Sequence, residues 1–133
     1  MNKAGRALLV AVVVVGAGWV ALLALDGDDD RTLGKDVDTA VGVCDAARAS
    51  ADVAEARAVF FDLAHHGLHD LADRASDVDR AVAGELLRDK EQVEGLLDGS
   101  ASPEQLRLAL EHLHESTVAA AIAVGSPNPK ECS

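Results

Sequence analysis

At 133 residues, a formal net charge of −11 and 2% aromatic side chains, the chain has room for one short apolar segment and one small domain. All 23 acidic residues lie after Leu25, against ten basic ones, so the part beyond Leu25 carries −13. Such a surface excludes nucleic-acid binding by phosphate neutralisation and repels anionic lipid headgroups. It draws cations or a basic partner, although solubility alone is also a sufficient reason for the charge.

Lys3 and Arg6 precede an unbroken apolar run of 19 residues, Ala7 to Leu25, which includes Trp19. As a helix at ~1.5 Å per residue it spans about 28 Å, close to a ~30 Å hydrocarbon core. A cleaved signal peptide has a shorter apolar region of ~7–15 residues and a small-x-small cleavage site. The exit, Ala21-Leu-Leu-Ala-Leu-Asp26, offers neither Ala-x-Ala nor Leu-x-x-Cys. Residues 1–25 therefore read as an uncleaved signal anchor, a single transmembrane helix in contact with the lipid bilayer through residues 7–25. Basic residues flank both ends, Lys3 and Arg6 on one side and Arg31 and Lys35 on the other, so charge nearly ties on orientation. The very short N-terminal tail and the cysteines discussed below favour a cytoplasmic N-terminus and a C-terminal domain outside the cell membrane.

Residues 26–34, with Asp26, Asp28, Asp29 and Asp30, form an acidic juxtamembrane spacer. The expected fold beyond it is all-α, an antiparallel bundle of three to four helices over residues 35–125. The first helix is expected from Lys35 to Ala49, with Val37, Val41, Cys44 and Ala47 facing inward. A second starts at Ser50 or Asp52, either a suitable N-cap. Its expected seam is Ala54, Ala58, Phe61, His65, Leu68, Ala72 and Ala75, in heptad steps. The stepping continues through Asp79, Val82, Leu86, Asp89, Val93 and Leu96, with no proline between Asp52 and Leu97. A single helix of that length would be ~68 Å long, too long for so small a domain. A break is expected near Ala75, where Ser76-Asp-Val-Asp79 resembles a helix start. Asp98 to Ser102 is a turn. Ser102-Pro-Glu-Gln105 opens the last helix with a capping box and a first-turn proline, and its face is Leu106, Leu110, Leu113, Thr117, Ala120 and Val124. Gly125 ends it, and residues 126–133 form an extended tail.

Cys44 and Cys132 are the only cysteines. An even pair in an extracytoplasmic domain points to a disulfide. Closing nearly the whole domain into one loop stabilises by ~4 kcal/mol in the chain-entropy view. The rivals are two free thiols, or a metal pair, which the wide spacing disfavours.

Five histidines carry what chemistry the sequence suggests: His65, His66, His69, His112 and His114. Asp62, His66, His69 and Asp73 step by 4, 3 and 4 along one helix face, and His65 and His69 are four apart. Such a stripe of His65, His66, His69, Asp62 and Asp73 is a candidate copper or zinc site. Such a pattern on an exposed helix face is usually a solvated stripe of weak pairs. His112 and His114, about 200° apart on a helix, do not chelate as a pair. His65 and Asp89 fall in the apolar seams as core polar residues. Asp79, Asp89 or a backbone carbonyl would satisfy His65, and His65 or Arg57 would satisfy Asp89. Haem is disfavoured by the lack of methionine beyond Met1 and of aromatic residues. No Cys-x-x-Cys, His-Glu-x-x-His, Gly-x-Ser-x-Gly or phosphate loop occurs, so a non-enzymatic role is expected, with no resident cofactor. The leading reading is an anchored extracytoplasmic module acting by contact with another envelope or membrane protein. Metal binding by the stripe is the alternative, and a histidine pH sensor a third. The Ala-, Val-, Asp- and Arg-rich composition resembles that of high-GC bacteria.

Overall fold

Side-chain caps open three of the five described helices. The computed structural model describes residues 17–132, with side-chain surroundings from Arg31 onward. Five α-helices follow one another: α1 Ala17–Arg48, α2 Val53–Leu63, α3 His65–Val78, α4 Arg80–Asp98 and α5 Pro103–Ala123. A 3-10 turn, Ala49–Ala51, links α1 to α2. Asp52 opens α2 by accepting from the N–H groups of Ala54 (2.9 Å) and Glu55 (3.1 Å). Asp79 does the same for α4, through Ala81 (2.9 Å) and Val82 (3.2 Å). Ser102 and Gln105 exchange reciprocal bonds at the start of α5, the capping box expected from the sequence. Gly125, at φ 83°, ends α5 as a Schellman motif: Ser126 N–H donates to Ala121 C=O and Gly125 N–H to Ile122 C=O.

The bundle lies within the unit Leu33–Ser133. Its core joins Val43 and Ala46 of α1 to Ala56 and Phe60 of α2 and to Leu68, Leu71 and Ala75 of α3. Leu86 and Val93 of α4 and Leu106, Leu110 and Leu113 of α5 complete it. Contact order along the helices gives their directions. Asp36, Thr39 and Gly42 of α1 meet Arg74, Gly67 and Leu63 in turn, so α1 runs antiparallel to α2 and α3. His65, at the start of α3, meets Glu94, late in α4, so these two are also antiparallel. The tail returns along α1, with Ser126 against Asp36 and Cys132 bonded to Cys44.

Two glycines permit α1 to lie this close. A Cβ on Gly42 would stand 2.8 Å from the Leu63 carbonyl oxygen, and one on Gly67 would overlap Thr39 Oγ1. Backbone at Leu63 cannot rotate aside as a side chain does.

Several expectations are corrected. The helix expected from Lys35 is already present at Ala17, the first described residue, so the acidic spacer 26–34 is helical; no proline there interrupts the hydrogen-bond ladder. The inward face of α1 is Asp36, Thr39, Ala40, Val43 and Ala46, with Cys44, while Val41 is 50% exposed. The stretch read as two helices is three, because Ala64, at φ −117°, separates α2 from α3. The second break falls at Asp79 rather than Ala75. Ala54 and Ala58 are exposed, and the buried line is Ala56, Phe60, Ala64, Leu68. A heptad stepping drifts by ~20° per seven residues from a straight helix, and the irregular turn at Ala64 re-aims the face again. The bundle thus has five described helices rather than three to four. Among the described residues no helix is long and apolar enough to cross a membrane. Most of the apolar run 7–25 lies outside the described residues.

Candidate functional site

The predicted histidine stripe sits on the α2–α3 junction. Its hub is His65, whose ring stacks 5.0 Å from that of Phe61 and lies 5.3 and 5.0 Å from the rings of His66 and His69. His65 Nε2 stands 2.9 Å from Glu94 Oε1, and Lys90 Nζ donates to the same oxygen at 2.7 Å. Burial is the largest influence on His65 and lowers its pKa from 6.5; the Lys90 charge lowers it further, Glu94 opposes, and His69 and His66 add to the lowering. The ring is therefore neutral near pH 7, and Nε2–H donates to Glu94. The partner is neither Asp79 nor Asp89. Lys90 is the buried ionic residue of α4, 3% exposed, one position on from the expected Asp89, which is half-buried. Arg57 pairs with Asp98 instead and lies over the Phe61 ring at 5.0 Å.

His66, His69, Asp62 and Asp73 are exposed. Among the described residues, the stripe holds no three ligand atoms close enough together to share an ion. What the structure brings together there is a histidine cluster meeting edge to face, with one ring fastened to α4.

The second cluster lies where α1, α5 and the tail meet. Cys44 and Cys132 form a disulfide, 88 residues apart in sequence with Cα atoms 5.3 Å apart, as the cysteine count led one to expect. Beside it stands His114, 7% exposed. One ligand atom of each of Cys44, Cys132 and His114 lies within 4.8 Å of the others. Nε2 of His114 is buried with no hydrogen-bond partner among the described residues, although the ring has a main-chain hydrogen bond with Lys130. Burial lowers the His114 pKa; the Lys130 bond and the charges of Glu115 and Glu131 oppose this only in part. A groove of about 600 Å³ opens alongside, lined by His114, Val118, Ile122, Pro129 and Glu131 among others. Sequence reasoning missed this cluster. His112 and His114 look alike in the sequence, and only the rotation of α5 turns His114 inward and leaves His112 exposed.

A third polar group, also unanticipated, fastens α1. Asp36, 1% exposed, accepts from both terminal nitrogens of Arg74, one at 3.0 Å, and from Ser126 Oγ at 2.5 Å. No protein family, curated protein or solved structure matches this chain.

Proposed function

We propose that this is a single-pass membrane protein whose helical domain lies outside the cytoplasm and acts, without catalysis, by contact with another envelope or membrane protein. The observation that carries the reading is the Cys44–Cys132 disulfide, because structural disulfides persist in oxidising compartments. The apolar run 7–25 supplies the tether. The outer face of α3 supplies a contact surface of matching character: Asp70, Asp73 and Asp77, all exposed, at helical steps of 3 and 4. A basic segment of the partner fits that stripe.

Photo-crosslinking in native membranes from position 76, exposed beside Asp73 and Asp77, tests this. The expected product is one discrete membrane-protein adduct, lost when Asp70, Asp73 and Asp77 are replaced by lysine. Crosslinks to lipid alone, or an adduct indifferent to those charges, would refute the contact reading.

Metal binding by the histidine stripe is the second reading, favoured by the 5.0 Å approach of the His65 and His69 rings. It requires one equivalent of copper or zinc on the oxidised protein, lost in the His66→Ala/His69→Ala variant. Equal binding by that variant removes it.

A further inference from the structure

We propose that Cys44, Cys132 and His114 form a thiolate–imidazole site for a zinc-class divalent cation when the disulfide is reduced. Metal and disulfide are then mutually exclusive occupants of one place. Three observations point there. The ligand atoms already lie within 4.8 Å of one another. In a tetrahedral zinc site with Zn–S of ~2.3 Å and Zn–N of ~2.0 Å, neighbouring ligand atoms are roughly 3.5–3.8 Å apart. Opening the S–S bond therefore requires the two sulfurs to separate by only about 2 Å to reach that spacing. Cys132 can make that movement, because it stands in the tail beyond α5, outside any helix.

His114 is the second, independent sign. A buried ring nitrogen without a partner is costly unless something binds it. Since Nε2 is the unpartnered atom, the Lys130 main chain engages the other nitrogen. A main-chain bond at one nitrogen fixes the tautomer and presents the other as a ligand, as in many zinc sites. The third sign is the groove beside the ring, which leaves the fourth coordination position open to water or to Glu131, next to Cys132 in sequence. The His65 stripe has no comparable set.

The electrons and protons balance simply. A dithiol reductant passes two electrons and two protons to the S–S bond, giving two thiols and leaving itself as a disulfide. Both thiols lose a proton as the cation binds. Reoxidation by a disulfide-bearing oxidant returns two electrons to that oxidant, restores the Cys44–Cys132 bond and releases the cation.

The test uses the full-length chain in mild detergent, reduced with a phosphine and titrated with cobalt(II) as a zinc probe, then competed with zinc. The expected result is one equivalent with sulfur-to-cobalt charge-transfer absorption, displaced by zinc, and absent in the unreduced protein. His114→Ala should weaken binding at least about tenfold, while His66→Ala/His69→Ala leaves it unchanged. Helix content is followed by circular dichroism throughout. Should reduction alone lower it, zinc must restore it in the wild type and not in Cys132→Ser. Binding without thiolate absorption, equal affinity in His114→Ala, or a loss of helix on reduction that zinc does not recover would each overturn the site.

Discussion

Replacing Arg74 by alanine tests the buried ion pair that fastens α1. The carboxylate of Asp36 is almost wholly buried and has three donors, two from Arg74 and one from Ser126. Arg74→Ala removes two of the three and leaves a buried charge with one hydroxyl. Breaking a buried pair in this way costs about 3–5 kcal/mol. The Arg74 side chain is 32% exposed, so water enters part of the vacated space and the lower end, about 3 kcal/mol, is expected. Asp36→Ala is milder, about 1–2 kcal/mol, because Arg74 relaxes toward solvent and only the Ser126 hydroxyl loses an acceptor. The Asp36→Leu/Arg74→Met double variant leaves no buried charge and should lie within about 1 kcal/mol of wild type. Urea unfolding followed by circular dichroism gives the three values, with unchanged slopes as evidence of a common transition. An order in which Asp36→Ala costs more than Arg74→Ala, or a double variant as weak as Arg74→Ala, would refute this account of the buried carboxylate.

Four further outcomes follow from the packing. Gly42→Ala should destabilise by about 1–3 kcal/mol, since its Cβ meets Leu63 backbone, whereas Gly84→Ala, in open space, should stabilise by up to about 1 kcal/mol. The Cys44→Ser/Cys132→Ser variant releases an 88-residue loop and should lose up to about 4.6 kcal/mol at 25 °C in the chain-entropy relation; a loss below about 1 kcal/mol would mean the tail is held by its polar contacts alone. Phe60→Ala should cost about 3–5 kcal/mol and Phe61→Ala clearly less, because only Phe60 is fully buried; equal losses would reverse that assignment. His65 has a folded-state pKa below its unfolded value of 6.5, so between the two the unfolded chain binds more protons. Its contribution to stability is present above pH 6.5 and is lost as the pH falls through the folded value, with Lys90, Glu94, His66 and His69 facing it. His65→Gln should therefore flatten part of the stability decline as the pH falls below 6.5; an unchanged slope would exclude it.

Where local chemistry decides, the sequence was readable. Ser102-Pro-Glu-Gln105, Asp52 and Gly125 mark boundaries by their own hydrogen bonds or backbone angle, and the Leu106–Leu110–Leu113–Thr117–Ala120 face is buried as its spacing predicts. The disulfide followed from the even count of cysteines. Where the answer depends on helix rotation, the sequence was silent. In an Ala-rich chain the stripes 54–58–61 and 56–60–64 are equally apolar, and choosing between them needs the neighbouring helices. For the same reason Asp36 and Lys90, charged residues at inward positions, could not be told from solvated ones. His114 could not be told from His112. The partners of His65, Asp36 and His114 come from other helices or from the tail, and no periodicity within one element encodes them.

The buried residues divide the domain into two kinds of attachment. Helices α2 to α5 meet through Phe60, Leu68, Leu71, Leu86, Val93, Leu106, Leu110 and Leu113, large side chains worth roughly 1.5–3 kcal/mol each on burial. From Arg31 onward, the inward face of α1 offers Ala40, Val43 and Ala46, which bury far less. What α1 lacks in apolar area it gains from bonds with specific geometry: Asp36 to Arg74 and Ser126, and Cys44 to Cys132. A buried ion pair such as Asp36–Arg74 fixes register better than it adds stability, and two glycine contacts allow only one depth of approach. The tail takes part in both bonds, so α1 and residues 126–132 stand or fall together. A change at the disulfide therefore acts first on how α1 is held and only afterwards on the leucine core, and His114 lies at that junction.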